Sequence, residues 1–215
     1  MAPMSRTVSA LIFDMDGVLA DTEGIHVRSW DIALEAIGVH ASEERKGLAG
    51  MSSAAIAREL IRLRGLPYSV DDLVQRKRSV FHRLIQDVLV PFDGLPSEIA
   101  AWRKKPLALA TSSTRREAEF MLSRLGFGGW FEPIVTSDDV EHAKPAPDLY
   151  LLAIERLGLP AAECVVLEDT LHGINAARGA GAQVIGIASS DLPRHVDGVL
   201  GVFDSTVEAL RWLKG

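Results

Sequence analysis

Asp14-Met15-Asp16-Gly17 follows directly on a short apolar run, Val8 to Phe13. An i, i+2 pair leaving a strand projects both carboxylates to one side. Two close carboxylates repel, so ionising both requires a cation beside them. A second acidic pair, Glu168-Asp169, ends the apolar run Cys164 to Leu167. Four carboxylates without His or Cys partners suit a hard, oxygen-preferring ion such as Mg²⁺. Either pair alone reads as readily as loop acids or helix N-caps; two pairs, both at strand ends, do not. Thr111, the first of Thr111-Ser112-Ser113-Thr114, ends the run Leu107 to Ala110 just ahead of a helix. There, backbone N–H groups and a hydroxyl can hold an anion. The plain alternative is an N-cap, and the segment has hydroxyls enough for both. Lys144 stands in Ala143-Lys144-Pro145-Ala146-Pro147-Asp148, a proline-stiffened loop. A lone loop lysine is usually just solvated; beside acids, a metal and a hydroxyl it becomes a phosphoryl clamp.

The elements that must carry these residues form a repeating pattern. Pro133 to Val135 leads into Thr136-Ser137-Asp138-Asp139, Gln183 to Ala188 ends in Ser189-Ser190-Asp191, and Val199 to Phe203 precedes Asp204. Short apolar runs without alternation suit central strands of a parallel sheet, buried on both faces. Helical patterns lie between them. Arg115 to Leu125 stops at Gly126 and Asp148 to Leu157 at Gly158, while Ser205 with Glu208 resembles a capping box. The expected fold is α/β, a doubly wound parallel sheet whose ligand sits at the carboxyl ends of the strands. The polar residues above all fall there.

The first strand breaks the alternation. After Asp21 no second strand is read before Leu107; Thr22 to Ile37, Ser52 to Leu63 and Ser69 to about Val90 read as helices. The sequence predicts an all-helical cap over residues 22–92 inserted into a core of residues 1–21 plus 93–215, with linkers near Asp21-Thr22 and Pro91-Gly94. An insertion beside the ligand end of a sheet makes a natural lid. Two of its polar residues sit on apolar stripes: Lys77 with Leu73, Val80, Leu84 and Val88, and His26 with Trp30, Ala33 and Ile37. A snorkelling lysine and a satisfied core histidine are the plain alternatives.

Composition narrows the function classes. The 215 residues carry 23 Lys+Arg against 29 Asp+Glu, a net charge of −6 that offers no field for nucleic acid or anionic lipid. One cysteine supports neither an internal disulfide nor a thiolate metal cage. The start, Met1 to Arg6, and the apolar run after it read as neither signal peptide nor membrane span, so a soluble cytoplasmic protein is expected. Arg76-Lys77-Arg78 is too short and isolated to indicate nucleic acid.

The segment Phe13-Asp14-Met15-Asp16-Gly17-Val18-Leu19-Ala20-Asp21-Thr22-Glu23 resembles the first motif of the haloacid dehalogenase superfamily. Thr111, then Lys144-Pro145-Ala146-Pro147-Asp148, then Glu168-Asp169-Thr170-Leu171-His172-Gly173 resemble its other three, in order, over nearly the whole chain. The insertion position is similar to that of the β-phosphoglucomutase and phosphoglycolate phosphatase branch. The resemblance implies a Mg²⁺-dependent hydrolase of small phosphorylated metabolites. Asp14 would be the nucleophile and Asp16 the acid/base. Thr111, Ser112 and Lys144 would hold the phosphoryl group. Asp14, the Asp16 main-chain carbonyl and Asp169 would bind the metal, with Glu168 as ligand or outer neighbour. It also implies substrate contact for Lys77 and an acid/base or positioning role for His26.

The mutase branch fits incompletely. Where it places an arginine on a distal phosphate, this chain has Ser53 in Gly50-Met51-Ser52-Ser53, with Arg58 the next basic residue. Hydrolysis is therefore expected over phosphoryl return. A halide-releasing dehalogenase needs no metal and would leave Asp16 and Glu168-Asp169 idle. A phospho-acceptor receiver module carries no helical lid. A non-catalytic scaffold would lack some catalytic position, and none is missing. A cap that opens needs free surface, so a monomer is expected.

Overall fold

The computed structural model describes residues 7–41, 48, 51–86, 88–188 and 192–215. The start Met1 to Arg6, Gly50 and the polar end Ser189-Ser190-Asp191 lie outside them. Among the described residues, six parallel strands form one sheet: β1 (Ala10–Phe13), β2 (Leu107–Ala110), β3 (Ile134–Val135), β4 (Cys164–Glu168), β5 (Gln183–Ile187) and β6 (Val202–Phe203), in the order β3-β2-β1-β4-β5-β6. The helices are α1 (Glu23–Glu35), α2 (Ser53–Arg64), α3 (Val70–Ile85), α4 (Leu95–Trp102), α5 (Arg115–Arg124), α6 (Asp148–Leu157), α7 (Leu171–Gly179) and α8 (Thr206–Lys214). No helix among the described residues is long and apolar enough to cross a membrane.

The doubly wound sheet is the fold the sequence predicts, and burial on both faces explains why its strands lack alternation. Leu11 and Phe13 of β1 enter one core with Leu95 and Ile99 of α4, Met121 and Leu122 of α5 and Leu210 of α8. Ala10 and Ile12 enter the opposite core with Leu149 and Ala153 of α6 and Ile174 and Ala177 of α7. β1 sits between β2 and β4, with Phe13 beside Leu109 and Leu167, so the three chemistry-bearing strand ends are neighbours. Helices α1, α2 and α3 share a third core of Trp30, Leu34, Leu60 and Leu73, while Phe81 and Ile85 at the end of α3 join the sheet's core.

Three boundaries differ from the sequence reading. α3 ends at Ile85, and its buried stripe runs Leu73, Lys77, Val80, Phe81 and Ile85; Val88 is exposed. Past Val80 the buried side follows the i, i+4 row Leu73, Lys77, Phe81 and Ile85, whose last two members join the sheet's core, and leaves Leu84 half-buried. α4 starts just past the linker read at Pro91-Gly94, in a stretch given no element, where Gly94 adopts φ 74° and Pro96 sits in the first turn. Proline there starts a helix because its missing N–H is one the first turn leaves unpaired. α7 was hidden by its acidic lead-in and two glycines; Thr170 caps it, accepting from the Gly173 N–H at 3.1 Å.

Candidate active site

Asp14 leaves β1 with its N–H bonded to the Leu167 carbonyl, so the sheet ladder aims its side chain at the edge shared with β4. Lys144 reaches that edge from the loop after β3. Its Nζ donates to Asp14 Oδ1 and Glu168 Oε1, both at 2.6 Å, and to the Ala110 carbonyl at 3.3 Å. All three side chains are buried. Burial opposes the Lys144 charge, but two carboxylates outweigh it and hold the pKa well above normal, so the ammonium stays charged. Asp14 is pushed up to about 7, first by desolvation and then by Glu168 and Asp16, against the pull of Lys144.

Glu168 is fully engaged. Oε1 accepts Lys144 and the Tyr150 hydroxyl, the latter at 3.0 Å; Oε2 accepts the Thr170 N–H at 2.9 Å and hydroxyl at 3.0 Å. Burial disfavours its charge, yet Lys144 and these donors keep its pKa below the usual value. A Cβ at Gly173 would fall 1.7 Å from Oε1, so glycine is needed for this close approach.

Asp16 belongs to a second cluster. Its Oδ1 accepts the Thr22 hydroxyl at 2.5 Å and lies 3.0 Å from His26 Nε2, and its Oδ2 accepts the Ser113 hydroxyl at 3.4 Å. Lys77 Nζ is 2.7 Å from His26 Nδ1, and the His26 ring stacks on Phe81 at 4.3 Å. An ammonium only donates, so Nδ1 accepts and the ring N–H at Nε2 donates to Asp16. Burial works to raise the Asp16 pKa; His26, Thr22 and Lys77 overcome it and bring it down to about 2. Desolvation lowers Lys77 to about 8 despite the nearby Glu117 and Asp16 charges. Thus His26 and Lys77 meet the site through Asp16.

Asp169 lies beside the turn at Gly17. Gly17 has φ 73°, and a Cβ there would stand 2.0 Å from Asp169 Oδ2. Desolvation and the charges of Glu168 and Asp14 raise Asp169 well above its ordinary value. A cavity of about 260 Å³, lined by Gly17, Asp21, Asp169 and Asp204 among others, opens beside it. Among the described residues, no three His, Cys, Asp or Glu side chains form a ready-made metal cage. Mg²⁺ does not need one: one or two carboxylates, waters and substrate oxygens complete its shell. Two raised carboxylates and a cradle that admits only glycine fit that donor set.

Thr111 is buried at the end of β2, and its hydroxyl oxygen accepts the Ser113 N–H at 3.1 Å. Ser137 donates to the Ser113 carbonyl at 3.1 Å, and Arg115 pairs with Asp139 at 2.7 Å, so the turn after β3 braces this loop. Ser112 is half-buried in the loop, while Ser113 is the hydroxyl that reaches Asp16.

Residues 8–181 match the haloacid dehalogenase-like hydrolase family. The chain belongs to it. Relatives in this family include the fructose-1-phosphate phosphatase YqaB of Escherichia coli (strain K12), 33% identical over 186 residues, 86% of this chain and 98% of that protein. A phosphorylated carbohydrates phosphatase of Thermotoga maritima is 32% identical over 181 residues, covering 83% and 84% of the two chains. Among solved structures, CbbY from Rhodobacter sphaeroides in complex with phosphate aligns with TM-score 0.84 and 28% identity, covering 94% of this chain and 96% of that one. Family membership makes the chain a hydrolase and accounts for the clustering of its acids at one sheet edge.

Sequence reasoning gave no part to three residues of this hydrolase site. Thr22 was a helix start, Ser113 one of several hydroxyls, and Tyr150 an unremarked position in the helix read over Asp148 to Leu157. Only the pairing across more than ninety residues between Ser113 and Asp16 reveals the second, and only the fold of α6 against β4 reveals the third.

Proposed function

We propose that the chain is a Mg²⁺-dependent phosphatase of small phosphorylated metabolites, foremost sugar phosphates, working through an aspartyl-phosphate on Asp14. The observation that carries this is Asp14 held at the end of β1, 2.6 Å from the Lys144 ammonium, with Asp16 two residues on in a separate hydrogen-bonded setting. The names of the relatives, acting on fructose 1-phosphate and phosphorylated carbohydrates, support the substrate class.

Asp14 and Asp169 carboxylates would hold Mg²⁺ together with the Asp16 main-chain carbonyl, since the Asp16 side chain is committed to Thr22, His26 and Ser113. Glu168, with four donors on its two oxygens, acts through Lys144. Bound Mg²⁺ supplies positive charge that lets Asp14 ionise and offsets repulsion between it and the phosphate. An Asp14 oxygen forms the bond to phosphorus as the ester P–O bond breaks, and Asp16 delivers a proton to the departing alkoxide. Asp16 then takes a proton from the water that attacks phosphorus, releasing phosphate and restoring Asp14. Thr111, with its oxygen occupied by the Ser113 N–H, has its hydroxyl proton for a phosphoryl oxygen, and Lys144 balances the charge that grows there.

At a pKa of about 2 the resting Asp16 is ionised, so it must gain a proton before it can serve as the acid. The chain Lys77 to His26 to Asp16 is its route, and Lys77 and His26 both lie on helices of the cap. Residues 22–92 form that cap and 1–21 plus 93–215 the core; closing the cap assembles the proton chain and excludes water together.

The second reading is phosphoryl return, favoured by the fold it shares with a putative β-phosphoglucomutase from Thermotoga maritima, TM-score 0.75 at 29% identity. Ser53 opening α2, with no arginine at that turn, stands against it. The test is a panel of phosphorylated metabolites, including fructose 1-phosphate and glucose 1-phosphate primed with glucose 1,6-bisphosphate. Release of inorganic phosphate that depends on Mg²⁺ and is abolished in Asp14→Asn is the expected result. Hexose phosphate interconversion without net release would replace hydrolysis with the mutase reading.

A further inference from the structure

Tyr150 is buried at the start of α6, six residues after Lys144 on the same stretch of chain. Its hydroxyl is 3.0 Å from Glu168 Oε1, and its ring centroid is 4.9 Å from Lys144 Nζ. A tyrosine serving only to fill the core needs any acceptor for its hydroxyl. Here the acceptor is the same oxygen that takes Lys144.

We propose that Tyr150 is a positioning residue for phosphoryl transfer, sharing Glu168 Oε1 with Lys144 and so setting how firmly Glu168 holds the ammonium. The inference rests on the phosphatase reading above. Lys144 has three N–H groups and three acceptors: Asp14, Glu168 and the Ala110 carbonyl. To meet a phosphoryl oxygen it must loosen one of them. The Ala110 contact is the longest and a neutral carbonyl, so it yields most readily, provided Glu168 does not draw the ammonium further in. Glu168 Oε2 is filled by two Thr170 donors, and Oε1 is shared by Lys144 and Tyr150. The carboxylate therefore cannot turn, and its attraction for Lys144 is divided. Burial and the adjacent Glu168 charge keep the Tyr150 hydroxyl protonated, so it remains a donor. Its ring closes one side of Nζ and presents a π face that an ammonium tolerates. Without the hydroxyl, Oε1 has one donor fewer in a dry site and takes up Lys144 more strongly, away from the reacting phosphorus.

Because Lys144 meets charge that grows toward the transition state, the loss falls on kcat. Tyr150→Phe, which keeps the ring, is expected to lower kcat for p-nitrophenyl phosphate about tenfold, the scale of one hydrogen bond to a charged group, with KM within about twofold. Orthovanadate, the five-coordinate mimic, loses affinity by the same factor, while inhibition by inorganic phosphate barely changes. In a Glu168→Gln background the same substitution has little further effect, because the two act as a unit. Wild-type kcat in Tyr150→Phe, an equal loss for vanadate and phosphate, or an undiminished tenfold effect beside Glu168→Gln would each overturn the proposal. The Asp14→Asn control separates the two levels. Activity surviving there refutes the phosphatase reading itself, whereas an inactive Asp14→Asn with a fully active Tyr150→Phe refutes only the role of Tyr150.

Discussion

Asp14→Asn should abolish turnover and yet stabilise the metal-free protein, by an amount that depends on pH. Asp14 has an ordinary value near 3.8 and is pushed up to about 7 in the fold, chiefly by desolvation. Between those two pH values the unfolded chain ionises while the folded chain resists. An acid with a raised folded pKa gives stability that is full below pH 3.8 and lost as pH rises to about 7. At about 1.4 kcal/mol for each pH unit, the loss reaches about 4 kcal/mol above pH 7. Asparagine keeps the shape and carries no charge, and Lys144 retains Glu168 at 2.6 Å, so no buried charge is orphaned. Without metal, the variant should gain on the wild type steadily from pH 4 to 7 and hold a constant lead above. For a chain of this size, about 1 kcal/mol moves Tm by about 2–4 °C. Thermal melts in EDTA from pH 4.5 to 8.5 read the gap directly. Added Mg²⁺ should then raise the wild-type Tm and leave the variant nearly unmoved. A gap that is flat with pH, or a variant less stable than wild type at pH 8, would refute the reasoning that Asp14 is strained by burial and relieved by a cation.

Mg²⁺ and protons should compete for the same carboxylates. By isothermal titration, affinity is expected to rise from pH 5.5 to about 7, with proton release on binding, because Asp14 titrates near 7 and Asp169 is also raised; a pH-independent affinity would count against both shifts. Gly17→Ala should weaken Mg²⁺ at least about tenfold, since its Cβ would stand 2.0 Å from Asp169 Oδ2. Gly38→Ala is the control: φ is again 73°, nothing lies within 4 Å, and only the ~1–2 kcal/mol backbone term should appear, as a lower Tm with unchanged Mg²⁺ binding. Lys77→Met should lower kcat at least about tenfold by cutting the chain to Asp16. Its Tm at pH 7.5 should match or exceed the wild type, because Lys77 is lowered from 10.5 to about 8 and holds its charge at a cost that vanishes as pH climbs through that window. A large loss of stability at pH 7.5 would assign Lys77 to structure alone.

The sheet was legible because its strands are buried on both faces and punctuated at their carboxyl ends, the two features that hydrophobic runs and polar stops encode directly. Asp14 and Glu168 were legible for the same reason: they stand at the carboxyl ends of adjacent strands, which must meet. Lys144 comes from the loop after β3, two strands from β1, and was legible only through its proline-stiffened setting. Helix α4 was not, since Gly94 and Pro96 break a helix interior but also start one, and only backbone angles separate the cases. Thr22 and Tyr150 were hidden because each reads as an ordinary helix residue, at the start of α1 and inside α6, while the carboxylate it reaches is placed by the fold and not by local spacing. The stripe position of Lys77 was legible, but its partner His26, fifty-one residues earlier, follows only from the packing of α1 against α3.

The acids at this edge differ through the placement of cations and donors, and that difference divides the labour. Asp14 shares its one cation with Glu168, so burial prevails and it waits near 7 for a second positive charge. Asp16 meets His26, Thr22 and, one step further, Lys77, so it is ionised from the outset and ready to receive a proton along the same contacts. On the proposed mechanism, the same residue type would thus serve as a metal-gated nucleophile at one position and a proton carrier two residues later. Exchange of those settings, and not of the residues, is what would disable the site. Opening the proposed cap would move the His26 and Lys77 pair away and leave Asp16 without its proton source, while the Asp14–Lys144 pair, both in the core, would stay together. On the proposed mechanism, hydrolysis would then require the cap to close over the substrate, because only the closed arrangement joins a proton source to Asp16 beside the buried Asp14.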